Sequence, residues 1–346
     1  MDLLIDMSNA GLTMFLSAMK MLFWLKHGEK LKVIMNRLEN SEFHYEKIDD
    51  FNPIGIIKNA KMIGIISCLT QWIVAQCTMA AAYVPASTMS FWYFLKDVPI
   101  VNMTKFEHLP YKTYVPFKHD TAIKYFLGCV TQFVPLHIHL SALVGVDGIF
   151  MNIINLIGAN MVVMRGAFKT LRKACLKRMR GAALVPDDLY NSDPLEHEMM
   201  CEMKKCIRHL QMLFGSCQQA EDIFQVISFA QAVGSAYLFC SCLLLISTMP
   251  IYTNEFLKEM FYAMAIFVQL SLYCWTGNEL TLKANDVSQG LWESDWLETR
   301  KPFKVCMIIT MTRLQIPLYF TAGKFVPLIL STQISVSNGN TSNIYL

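Results

Sequence analysis

The stretch "YFLGCVTQFVPLHIHLSALVGVDGIFMNIINLIGANMVVM", Tyr125 to Met164, runs for 40 residues with Asp147 as its only Asp, Glu, Lys or Arg. As a helix rising roughly 1.5 Å per residue it would reach about 60 Å, twice the roughly 30 Å hydrocarbon core of a bilayer. It is either two spans or one helix that projects beyond the membrane, and Pro135 does not decide between them. Three further stretches are free of acidic and basic charge and long enough to span: Met62 to Leu95, Ile223 to Asn254 and Met260 to Asn278. A fifth, Leu3 to Leu25, is mostly apolar but carries Asp6 and Lys20. With 54% hydrophobic and 16% charged residues, the composition lies outside the soluble globular range. The fold class is an all-α polytopic membrane protein of about five to six membrane helices. No Gly/Ser linker or low-complexity tract marks a second domain, so a single domain is expected.

Loop charge chooses between the two readings of the long stretch. With one long helix, alternate loops hold Lys and Arg in a ratio of 21 (26–61, 165–222, 277–304) to 6 (96–124, 251–258). Two spans would put 96–124 and 165–222 on one side and spoil that asymmetry. One long helix is therefore expected, with the basic loops cytosolic and the N-terminus outside. The run Arg165, Lys169, Arg172, Lys173, Lys177, Arg178 and Arg180 has no acid between Arg165 and Val185 and anchors this orientation.

Trp24, Tyr83, Trp92, Tyr93, Tyr273 and Trp275 fall near predicted interfaces, where amphipathic rings are favoured. Asn102-Met103-Thr104 in an outer loop is a candidate glycosylation acceptor, a pattern that is common by chance. None of the eleven cysteines falls in an outer loop, so no extracellular disulfide framework is implied. Cys201, Cys206, His209 and Cys217 share a helix face but fit no familiar zinc spacing, and no metal is expected. Leu195, Met199, Met203, Cys206, Leu210, Phe214 and Cys217 recur at steps of three or four, after the helix start Asp193-Pro194. That stripe predicts a cytosolic helix that extends the span beginning near Ile223. It either packs within its own subunit or serves as an assembly platform.

No Walker loop, GxSxG, HExxH or glycine-rich strand-to-helix turn is present, so no enzyme, cofactor or nucleic-acid partner is implied. Asp147 is a buried charge whose plainer role is pairing with a hydroxyl or amide such as Ser141 or Asn152; His137 and His139 fall where the long helix projects into water. A transporter would show related halves or paired broken helices, which are missing. A G-protein-coupled receptor is disfavoured by the lack of an outer-loop cysteine and of an acidic-Arg-aromatic triplet. A ligand-binding channel subunit with an apolar, aromatic pocket stays open.

Three segments sharpen that class: "YCWTGNELTLKANDVSQGLWESDWLE" (Tyr273 to Glu298), "KPFKVCMIITMTRLQIPLYFTAGKFVPLIL" (Lys301 to Leu330) and "LVGVDGIF" (Leu143 to Phe150). Together they resemble the insect odorant receptor family. The motifs are Gly277-Asn278-Glu279, Glu293-Ser294-Asp295-Trp296 and Thr321-Ala322-Gly323-Lys324-Phe325, with Asp147 at a family position. The resemblance implies a seven-span subunit with a cytosolic N-terminus. It also implies assembly with a coreceptor into a tetrameric, odorant-gated cation channel in the plasma membrane of olfactory neuron dendrites. Segments 165–222 and 277–322 would form a cytosolic anchor region, and Phe303 to Phe320 an anchor helix, followed by the turn Thr321 to Phe325.

Relative to the family, Met1 stands where the second span begins. Val336 to Leu346 are turn formers where an apolar pore helix is expected. The sequence therefore reads as a receptor truncated at both ends, with a non-conducting or modulatory fragment as the alternative. Its ligands would be small volatile organic molecules. The residues nominated for the outer part of the bundle are Met14 and Phe15, Trp72, Met79 and Tyr83, Phe133 and His137, Tyr237, and Tyr262.

Overall fold

A computed structural model describes residues 2–40, 42–96, 109–111, 115–117, 121–181, 192–251, 253–324 and 326–328. Seven helices follow one another in these residues: α1 (Asp2–Glu39), α2 (Pro53–Lys96), α3 (Ala122–Lys169), α4 (Leu171–Gly181), α5 (Asp193–Thr248), α6 (Asn254–Trp292) and α7 (Lys301–Leu314). A two-stranded antiparallel ribbon, β1 (Thr321–Ala322) and β2 (Val326–Pro327), follows them. Asn102, Phe325 and the tail 329–346 lie outside the described residues.

Capping sets several helix starts. Asn52 precedes the N1 proline of α2, and its Oδ1 accepts from the Gly55 N–H at 3.2 Å. Thr253 Oγ1 accepts from the Phe256 N–H at 3.2 Å ahead of α6. The 40-residue stretch is one helix: α3 is continuous for 48 residues and runs through Pro135. The amphipathic segment and the span after it likewise form one 56-residue helix, α5, which starts at Asp193 as the Asp-Pro pair predicts. The anchor helix is shorter than expected. α7 stops at Leu314, because Pro317 disfavours helical backbone at Ile316 and lacks the N–H needed to continue.

Among the described residues, four helices are long and apolar enough to cross a membrane: Pro53–Met89, Ala122–Lys169, Asp193–Thr248 and Asn254–Trp292. α1 falls short because Asp6, Asn9 and Lys20 interrupt its apolar run. Two of these face protein: Asn9 is 2% exposed and accepts from Ser241 Oγ at 2.6 Å, and Lys20 is fully buried.

The chain forms two compact units, and α1, α2, α3, α5 and α6 each contribute a stretch to both. The first comprises Met1–Lys26, Ser67–Gly148 and Ile227–Leu272; the second comprises His27–Ile66, Ile149–Val226 and Tyr273–Leu346. The expected anchor segments, 165–222 and 277–322, both belong to the second. Its core is an aromatic cluster in which Phe150, fully buried, stacks on Tyr273 at 4.5 Å and meets Phe224 and Phe320 edge-on. The α5 stripe is buried in this unit at Leu195, Met199, Met203, Cys206, Leu210 and Cys217.

The family motifs acquire physical roles in the second unit. The basic run is matched by acids: Lys169 by Glu293 at 2.8 Å, Arg172 by Asp295 at 3.5 Å and Glu298 at 3.7 Å, and Arg178 by Glu198 and Glu202 at 2.9 and 2.7 Å. Hydrogen bonds from Lys169 and Gln289 hold Glu293 below the usual carboxylate range. Ser294 Oγ donates to Leu291 O at 2.7 Å, and Trp296 Nε1 donates to Trp292 O at 3.2 Å, which together turn the chain after α6. Glu279 pairs with Lys283 one turn on, at 3.2 Å, and Asn278 lies beside it, half-buried. Gly277 has no room for a Cβ, which would collide with the Leu328 carbonyl. The β1–β2 turn places Gly323 and Lys324 at φ 64° and 63°, which is why glycine suits its first position. Thr321 Oγ1 donates to the Glu221 carboxylate, the Gly323 N–H to Gln225 O at 3.0 Å, and Lys324 pairs with Asp222 at 3.0 Å. Ala322 is fully buried.

Candidate functional site

The first unit encloses a cavity of about 680 Å³, within the range of small-molecule sites. Its apolar wall comes from Met14 and Leu16 of α1, Ala75, Met79 and Tyr83 of α2, Leu136, Leu140, Leu143 and Val144 of α3, Leu238 of α5, and Tyr262 and Ile266 of α6. Tyr111, Val115 and Pro116 close it from the segment between α2 and α3. Tyr83 packs edge-on against Phe133 at 5.2 Å and tilts against Tyr111 at 6.1 Å.

Three clusters stand out among the polar groups of this wall. The hydroxyls of Thr13 and Tyr262 are hydrogen-bonded to each other. Lys258 bridges the carboxylates of Asp6 and Glu259, each at 3.3 Å, and lies 5.2 Å from the centre of the Tyr111 ring. Burial pushes the Tyr111 hydroxyl up to about 12, against the opposing pull of Lys258, so it stays a neutral phenol. The third cluster is three amides, Gln71, Gln231 and Gln269, on three different helices.

These amides are tied to Asp147, which is fully buried and whose partners differ from the expected Ser141 or Asn152. Asp147 Oδ1 is salt-bridged to Lys20, and Oδ2 accepts from Gln71 Nε2 at 2.8 Å and from Gln269 Nε2 at 2.5 Å. Ser141 instead donates to the His137 carbonyl at 2.8 Å. A charge in a low-dielectric interior needs a full opposite charge, which a neutral hydroxyl or amide cannot supply. Two opposite charges in otherwise apolar stretches were the signal, in the sequence, for this pairing.

Of the nominated ligand residues, the structure brings Met14, Met79, Tyr83 and Tyr262 to the cavity wall. Phe15, Trp72 and Tyr237 are 60%, 44% and 49% exposed on the unit's surface and line no part of it. Phe133 and His137 stack on each other at 5.4 Å just behind the wall. The lining residues Thr13, Gln71, Gln231 and Gln269 were not nominated, although polar side chains inside apolar spans are what mark an inward face.

A family model described as 7tm odorant receptor matches residues 1–340. The chain belongs to the odorant receptor family. It is a multi-pass membrane protein by that membership and by its four span-length helices. Among its curated relatives, Odorant receptor 94a of Drosophila melanogaster is 23% identical over 162 residues, 46% of this chain and 41% of that protein. Odorant receptor 59b of the same organism is 27% identical over 79 residues, 23% of this chain and 20% of that protein. The matched segments thus span less than half the length of these relatives. Among solved structures, the insect olfactory receptor OR5 from Machilis hrabei has the same fold, with a TM-score of 0.73, 13% identity, and 99% of this chain and 80% of that one covered. The same receptor in complex with eugenol matches with a TM-score of 0.73, covering 98% and 79%.

Proposed function

We propose that this odorant receptor is an odorant-binding subunit. It takes a small volatile organic molecule into the first unit's cavity and, with a coreceptor, opens a cation channel in the plasma membrane of olfactory neurons. The observation that carries the reading is the cavity: about 680 Å³, with a largely apolar wall of Met, Leu, Ala and Tyr side chains interleaved with fixed polar groups. Burial of apolar ligand surface would drive binding, and the polar groups would set orientation. The family resemblance and the eugenol complex of a receptor of the same fold support the same chemistry. The loop charges add an orientation. The loops richest in Lys and Arg belong, Lys26 aside, to the second unit, and 96–124 and 251–258 to the first. We assign the former to the cytosol.

The test is co-expression with a coreceptor in a cell without endogenous odorant receptors. Volatile-evoked cation current is expected only when both chains are present. A second-messenger response from this chain without the coreceptor would overturn the channel reading.

A further inference from the structure

The hydrogen-bond directions around Asp147 fix the polarity of the cavity's amide cluster. Asp147 Oδ2 only accepts, so both amides that touch it, Gln71 and Gln269, must present Nε2. Gln269 therefore turns its Oε1 away, and that oxygen accepts from Gln231 Nε2 at 3.1 Å. Gln231 Nε2 also donates to Ser235 Oγ at 2.7 Å, so both of its donors are used. Swapping O and N in any one of these amides would set two acceptors against each other. The carboxylate thus orients three side chains in succession and leaves two carbonyl oxygens over. Gln71 Oε1 and Gln231 Oε1 are buried and accept no hydrogen bond among the described residues; the side chains that carry them are 6% and 4% exposed and line the cavity.

A buried acceptor left unmatched is costly, and a partner that brings a donor removes that cost. We propose that the cavity selects volatile molecules carrying a hydroxyl group, alcohols and phenols, which donate to the carbonyl oxygen of Gln71 or Gln231 while their apolar body packs against the Met79 and Leu140 side of the wall. Esters, ketones and ethers bring only acceptors to a cluster already rich in them. Amines bring a positive charge for which the amide cluster has no place, since its carboxylate is already matched by Lys20 and two amides; they suit instead the Asp6 and Glu259 carboxylates, which share one lysine.

This inference rests on the reading that the cavity is the odorant site, and the experiment separates the two. Thermal unfolding of the purified chain in detergent is followed by thiol labelling of its buried cysteines, such as Cys129 and Cys242, against hexanol, hexyl methyl ether, hexane and hexylamine. A ligand that binds only the folded state raises the melting temperature, by more the further its concentration exceeds its Kd. Hexanol is expected to bind roughly 10-fold more tightly than its methyl ether, the scale of one hydrogen bond to a buried acceptor. Gln231→Met removes one of the two open acceptors and is expected to reduce that preference while leaving hexane binding intact. Equal binding of hexanol and its ether overturns the inference and leaves the cavity reading standing. No shift with any of the four overturns both. If Gln231→Met does not fold, the comparison of hexanol with its ether on the unaltered chain still decides.

Discussion

The first unit and the second are built from stretches of the same helices, yet they use polar chemistry in opposite ways. In the first, few charges are present, and the central one is buried deep: Lys20 and Asp147 are both fully buried and extended by glutamines beside a cavity. In the second, the charges are many and mostly at the periphery, in pairs between the bases of α4 and the end of α3 and the acids of α5, α6 and the loops, around a core filled by Phe150, Phe168, Phe224 and Phe320. The contrast runs along α3 itself. Its early residues Ile123, Phe126, Leu127, Val134 and Ile138 are exposed, whereas Phe150 to Phe168 are almost continuously buried. A helix of uniform apolar composition can therefore serve as a cavity wall or as a solid core, depending on what its neighbours offer.

The largest effect that tests this contrast concerns the buried pair. Asp147→Leu or Lys20→Met alone leaves an unmatched buried charge and is expected to cost about 3–5 kcal/mol, measured by unfolding in detergent. The double substitution is expected to recover most of that loss, and strictly additive losses would show that the two charges do not depend on each other. Next, truncation should hurt more where packing is full. Phe150→Ala, at the centre of the second unit's aromatic cluster, is expected to cost about 3–5 kcal/mol. Met79→Ala, beside the cavity, is expected to cost nearer 2 kcal/mol, because a side chain bordering open space has fewer contacts to lose.

A smaller effect separates the units by pH. His209 in the second unit is 1% exposed, lies between Phe43 at 4.6 Å and Tyr45 at 5.7 Å, and shares a 3.0 Å hydrogen bond with the Tyr45 hydroxyl. Burial, then the nearby Lys205, takes it from the ordinary 6.5 down to about 4. The unfolded chain therefore binds this proton more readily than the folded one. The contribution is fully present above 6.5 and lost as pH falls from there to about 4, up to about 3 kcal/mol. Melting temperature at pH 7 against pH 4.5 reads this loss, and His209→Phe is expected to flatten it. The smallest effect belongs to Lys173, 67% exposed and paired with Asp49: Lys173→Ala is expected to leave the melting temperature unchanged.

Sequence by itself determined the class, the span-length helices and the continuity of α3 and α5, because bilayer thickness, charge exclusion and loop charge act on composition and position alone. It also identified the family motifs, since those are local words. Tertiary structure alone decided which side of each helix faces inward. When every face of a span is apolar, periodicity no longer marks the buried one, so Phe15, Trp72 and Tyr237 were as plausible as Met14, Met79 and Tyr262. Only packing resolved them, by fixing the rotation of each helix about its axis. The same rotation brought Lys20 to Asp147 across 127 positions of chain and turned three unremarked glutamines into the polar face of a cavity.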